Sequence, residues 1–120
     1  MPNRRILSLW FKRLSVERVI RRYRIDYELP IVIIDKKGNK EIVFNLNKAA
    51  ESYGLFIGQP MRDTILRCPN IVIRLVDLDE DQRFLGLLAR WMEKYSPWIK
   101  RELPDGILID ITGCAHLFGG

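Results

Sequence analysis

The carboxylates of this chain are the residues with most chemical promise, and Asp105 leads them. Two short apolar runs flank Pro104-Asp105-Gly106, which places one carboxylate at the tip of a hairpin. Two-metal phosphoryl transfer would need two or three such acids converging on one point, because two Mg²⁺ ions about 4 Å apart share bridging oxygens. Asp35, Asp77, Asp79 and Asp110 are also available. Pro-Asp-Gly is equally a turn sequence in its own right, with Pro presetting φ and Gly supplying positive φ. On spacing alone the turn is favoured.

Other chemistries lack their parts. Zinc takes about four ligands, usually paired at short separations, and Cys114 with His116 could add only Cys68. His116 is the single histidine, so no Ser/His/Asp set exists, and there is no nucleophile elbow, Walker loop or GxGxxG. Two cysteines make no disulfide framework, and a reduced cytosolic chain is expected.

The net charge of +5 is concentrated at one end. Residues 1–24 carry eight Lys/Arg against Glu17 alone, a net +7, and the remainder carries twelve basic and fourteen acidic residues, a net −2. Arg13, Arg18, Arg21, Arg22 and Arg24 are therefore candidate contacts for a polyanion such as DNA, the alternative being a solvated helix face. No apolar run nears the ~20 residues of a membrane span, and the short run Ile6–Phe11 lacks a signal-peptide cleavage site.

The elements that must position these residues follow from pattern. Ile6–Phe11 reads as a strand buried on both faces. Ser15 is placed to cap a short helix through about Arg24, with Val19, Ile20 and Tyr23 on one face and Arg18, Arg21 and Arg22 on the other. IVIID and EIVFN form a hairpin around Gly38 and Asn39. Asn47 caps a helix ending at Gly54, and Pro60 opens another that ends before Pro69. After a strand at Ile71–Val76, Asp77 and Glu80 resemble a capping box. The helix that follows carries an expected core stripe of Phe84, Leu87, Leu88, Trp91, Met92 and Tyr95. Strands at Ile99–Leu103 and Ile107–Ile111 complete a mixed α/β order, and the chain stops after a strand as if cut from a larger domain.

Taken together these residues resemble the Y-family translesion DNA polymerases, and within them the ImuB-like, catalytically inactive branch. RILSLWF is similar to the first palm strand, YGLFIGQPM to a fingers pattern, and CPNIVI to the strand leaving the fingers. YSPWIKRELPDGILIDITG lies over the family pattern YTPxVExxSIDExxLDxTG, and ITGCAHLFGG is a signature of the branch. The resemblance implies an α/β (α+β) fold: a partial, ferredoxin-like palm with an inserted small fingers domain. Residues 1–12 would be the first palm strand, 13–76 the fingers-like domain and 77–120 the partial palm.

The departures from the family pattern matter most. Active relatives place a metal-binding Asp where this chain has Trp10, and a second carboxylate position two residues on matches Lys12. The Asp-Glu pair of the hairpin matches Asp105 followed by Gly106. A Tyr and an Arg that contact the incoming triphosphate read Lys48 and Glu51 here. Asp105 is then a vestigial catalytic residue, no metal or other cofactor is expected, and Asp110 matches a non-catalytic strand acid. The implied function is an accessory role in SOS-type mutagenesis and translesion synthesis in the bacterial cytoplasm, at the nucleoid. Its implied partners are DNA, a sliding clamp, a RecA-like companion and an error-prone polymerase, with no membrane. The alternative is an active, divergent polymerase using Mg²⁺. A basic α/β interaction domain without polymerase ancestry is the third possibility.

Overall fold

The computed structural model describes residues 4–112. Cys114, His116 and the rest of the ITGCAHLFGG motif from Gly113 onward lie outside them. In chain order the elements are β1 (Ile6–Trp10), α1 (Leu14–Tyr23), β2 (Ile31–Lys37), β3 (Lys40–Leu46) and α2 (Lys48–Ser52). Then come α3 (Met61–Ile65), β4 (Val72–Leu75), α4 (Leu78–Met92), β5 (Ile99–Glu102) and β6 (Gly106–Asp110). The order is mixed α/β, and the chain divides into two compact units: Arg13–Leu78, and Met1–Lys12 with Asp79–Gly120.

In the unit Arg13–Leu78, β2 is the central strand, antiparallel to β3 on one side and parallel to β4 on the other. Its run Ile31–Ile34 is buried on both faces. Ile31 and Ile33 join Val16 and Val19 of α1, while Val32 and Ile34 join Val43, Leu46, Ala50, Leu55, Met61 and Cys68. Each buried Val, Leu, Ile or Met among them contributes about 1.5–3 kcal/mol by leaving water. A bulge between Ile33 and Ile34 skips Phe44, so Val43 and Leu46 reach the same cluster although three residues apart. Gly38 (φ +66°) opens the two-residue loop between Lys37 and Lys40, whereas Asn39 keeps a negative φ. Burial pushes the thiol pKa of Cys68 up.

Asn47 is the polar hinge of this unit. Its Oδ1 accepts from Ala50 N–H as the cap of α2 and from Ile31 N–H, both at 3.0 Å. Its Nδ2 donates to the carbonyls of Leu29 at 2.8 Å and Tyr27 at 3.2 Å. The end of α2 is local too, with Gly54 at φ +87°. Ser15, by contrast, is not a cap. The helix begins one residue earlier, and Asn45 Oδ1, from β3, accepts from Val16 N–H. A distant side chain has taken the work expected of a neighbour.

In the other unit the sheet runs β1-β6-β5, antiparallel throughout. Here β1 departs from expectation: among the described residues it pairs on one side only, and Leu7 and Leu9 are half-buried while Ile6, Ser8 and Trp10 are exposed. An apolar run is buried on both faces only where layers cover both faces. In this unit Ile107 and Ile109 of β6 are buried, as are Leu85, Ala89 and Met92 of α4. The expected stripe on α4 is correspondingly displaced, for Leu87 and Trp91 are 59% and 56% exposed. The helix is apolar on several sides, so periodicity alone does not choose the buried one. The Trp91 ring instead meets Tyr95 edge-on at 5.6 Å and the Lys94 ammonium at 4.0 Å. Ser96 Oγ closes the unit, accepting from Trp98 N–H at 3.0 Å and donating to the Asp110 carbonyl at 2.6 Å.

Candidate functional site

Asp105 sits half-buried in the turn between β5 and β6. Two elements hold that turn. Phe11 N–H donates to the Asp105 carbonyl at 2.8 Å, and Gln82 Nε2 of α4 donates to the Pro104 carbonyl at 2.8 Å. The side chain is engaged as well. Trp10 Nε1–H donates to Asp105 Oδ2 at 2.9 Å, from a residue 70% exposed.

Register explains the meeting. Trp10, the last residue of β1, is the direct partner of Gly106 at the start of β6. Two of the positions that depart from the polymerase pattern therefore face each other across one ladder. A Cβ at Gly106 would lie 3.3 Å from the Glu102 carbonyl oxygen and 3.4 Å from that of Leu9, so the backbone crowds any side chain there. Lys12, two residues beyond Trp10, is exposed.

Asp110 fastens the far end of β6, its Oδ1 accepting from Thr112 N–H at 2.9 Å and its Oδ2 lying 3.7 Å from Arg4 Nε. The Thr112 hydroxyl, the Thr112 N–H and the Arg4 charge hold its carboxyl below the ordinary value of 3.8. The Thr112 hydroxyl also accepts from Arg5 N–H at 2.8 Å, joining the start of β1 to the end of β6. Asp35 is half-buried in β2, and Asp79 is exposed in the first turn of α4, just after Asp77. Among the described residues no three His, Cys, Asp or Glu side chains are grouped to hold a metal.

Lys48 and Glu51 lie on α2, both exposed at the residue level. Glu51 has a partner that sequence spacing does not suggest. The Arg13 guanidinium is 3.0 Å from Glu51 Oε1 and also donates to the Leu46 carbonyl, with side-chain exposures of 18% for Arg13 and 42% for Glu51. Arg13, expected at the polyanion surface, is thus engaged within its own unit. The other candidates stay on α1: Arg18 is half-buried and Arg21 and Arg22 are exposed. Arg24 ends the helix in the left-handed conformation (φ 52°). A further cation reaches α1 at its Tyr23, since the Arg74 guanidinium of β4 lies 5.3 Å from the centre of that ring. Arg74 is fifty residues downstream of Arg24 in the chain, and only the sheet brings it to α1.

Known proteins share both the sequence and this architecture. ImuB of Caulobacter vibrioides is 37% identical over 67 residues, 56% of this chain and 15% of that protein. DNA polymerase IV of Clostridium kluyveri is 28% identical over 89 residues, 71% of this chain and 21% of the polymerase. The chain thus spans about a fifth or less of the length of these relatives. A Y-family DNA polymerase chimera superposes with a TM-score of 0.76 over 96% of this chain and 34% of its own, at 15% identity. A post-insertion binary complex of Dbh DNA polymerase gives 0.74 over 96% and 33%, at 17% identity. DinB of Sulfolobus solfataricus gives 0.66 over 88% and 30%, at 19% identity. At these identities the structural likeness is one of fold, and that fold is the Y-family polymerase one. The model of the impB/mucB/samB family matches residues 13–120, and the chain belongs to that family.

Proposed function

We propose that this chain is part of a polymerase-like protein that no longer polymerises DNA and acts as an accessory factor in DNA-damage-induced mutagenesis and translesion synthesis. The observation that carries this reading is the Trp10 indole bonded to Asp105. The resemblance assigns both residues to metal-binding acid positions, and here one holds a neutral donor turned onto the other. A carboxylate bonded in this way, followed by Gly106 and with Lys12 two residues beyond its donor, does not fit a pair of Mg²⁺ ions. No cofactor is expected, and Asp105 is read as a vestigial turn residue.

What remains is binding. Arg18, Arg21, Arg22 and Arg24 supply a basic surface suited to sequence-independent phosphate contacts. A sliding clamp, a RecA-like companion and an error-prone polymerase are the protein partners proposed, at the nucleoid in the bacterial cytoplasm. Similarity to ImuB supports this reading.

Primer extension with Mg²⁺ or Mn²⁺ on the full-length protein tests the catalytic half, and no incorporation is expected. Incorporation that Asp105→Ala abolishes would establish the active, divergent polymerase instead. For binding, replacing Arg18, Arg21 and Arg22 by Gln is expected to weaken DNA affinity and lower the salt slope by about 0.9 for each phosphate no longer neutralised. An unchanged slope would assign the basic segment to something other than DNA.

A further inference from the structure

A second basic feature lies in the unit that contains α4 and β5. Between this helix and this strand runs a groove of about 630 Å³. Arg83, Arg90 and Arg101 line it with apolar Leu87 and Ile99, against one acid, Glu93. Arg83 is partly neutralised by Glu80 at 2.6 Å. The guanidinium groups of Arg90 and Arg101 take part in no hydrogen bond or ion pair among the described residues.

The groove is bordered by an open ladder. β5 is the edge of its sheet, with β6 on one side and no neighbour among the described residues on the other. Asp110 N–H donates to the Trp98 carbonyl at 2.9 Å, which makes Trp98 and Asp110 a bonded pair. Bonded and non-bonded pairs alternate along an antiparallel ladder, so the N–H and C=O of Ile99 and Arg101 point away from β6. These two residues also line the groove. Backbone groups and side chains thus address the same space.

Gly86 shapes the groove. It lies in the middle of α4, where glycine is normally unfavourable relative to alanine. A Cβ there would lie 3.0 Å from Arg101 Nη1. The missing methyl is the room that the Arg101 guanidinium uses.

We infer that this edge and groove form a docking site for an extended acidic peptide segment of a partner protein. The peptide adds as a strand to β5, with every second side chain facing the groove, its acidic ends on Arg90 and Arg101 and their methylene stems against Leu87 and Ile99. Strand addition takes affinity from main-chain hydrogen bonds and specificity from every second side chain. Charge sets the sign of the partner. The outward N–H and C=O groups of Ile99 and Arg101, unpaired among the described residues, and the apolar wall favour a polypeptide over a sugar-phosphate backbone.

The test is fluorescence anisotropy on the full-length protein with a short labelled peptide alternating Glu and Val. Saturable binding is expected, with a Lys/Val peptide failing to bind. Arg90→Ala and Arg101→Ala should each weaken it about three- to tenfold, as expected of charge-assisted bonds at a partly exposed site. Gly86→Ala separates this from simple damage: it should raise Tm while weakening the peptide about threefold, because the added methyl displaces Arg101. Equal binding of the Lys/Val peptide, or affinity indifferent to all three substitutions, would overturn the proposal. So would a single-stranded oligonucleotide that binds tighter than the Glu/Val peptide and is lost with the same substitutions, since it would make the groove a nucleic-acid site.

Discussion

Asp105 and Glu51 are two carboxylates at positions that the polymerase resemblance ties to catalysis, and the protein engages them differently. Asp105 is met by a neutral donor, the Trp10 indole. Glu51 is met by a cation, and the same guanidinium reaches on to the Leu46 carbonyl. The first arrangement satisfies a lone pair but leaves the negative charge in place. The second compensates the charge and binds a helix to a strand. One carboxylate thus stands in a turn with its charge uncompensated, while the other is paired within the framework of its unit.

The difference predicts unequal costs on unfolding in urea. Arg13→Ala should be the most damaging, at about 2 kcal/mol, since it strands a half-exposed carboxylate and removes a carbonyl's donor together. Glu51→Ala should cost less than about 1 kcal/mol, because Arg13 keeps its bond to Leu46 and the pair is partly solvated. Equal losses would mean that the carbonyl bond contributes nothing. Trp10→Phe keeps the ring and drops the donor, and its cost should also stay below about 1 kcal/mol, with water replacing the indole at a half-exposed oxygen. A larger loss would mean that Trp10 secures the hairpin.

The smallest effect concerns the other end of β6, where Asp110 keeps a stabilised charge. Its folded pKa lies below the ordinary 3.8, so its stabilisation is complete above that value and is lost as pH falls through the folded pKa. Asp110→Asn should therefore flatten the stability–pH curve below about pH 4 and leave the slope near neutrality unchanged. Urea midpoints across the acid range measure this. A curve unaffected below about pH 4 would show that the hydrogen bonds from Thr112 do not favour the charged form.

What could be read from sequence was local. The Asn47 cap, the Gly54 stop and the Gly38 turn each depend on residues within a few positions, and each is present. The family pattern in the hairpin was legible for the same reason, being a contiguous string. Expectations that depended on distant partners fared worse. Ser15 was displaced as a cap by Asn45, and Arg13 is engaged by Glu51. The burial of β1 and of α4 depends on which layers cover them, which periodicity does not encode. The bond from Trp10 to Asp105 spans 95 positions and is visible only once the strands are paired.

The bulge at Phe44 bears on solubility. β3 is the outer strand of its sheet, and open strands invite copies of a chain to pair with one another. Here the bulge bends the strand, and the segment after Phe56 lies along its outer side. Gly58 N–H donates to the Val43 carbonyl at 2.8 Å, Val43 N–H donates to the Gln59 carbonyl at 2.9 Å, and Ile42 bridges to Pro60. Pro60 has no N–H with which to extend a ladder. Concentration-dependent aggregation by strand pairing therefore has no flat template along this edge.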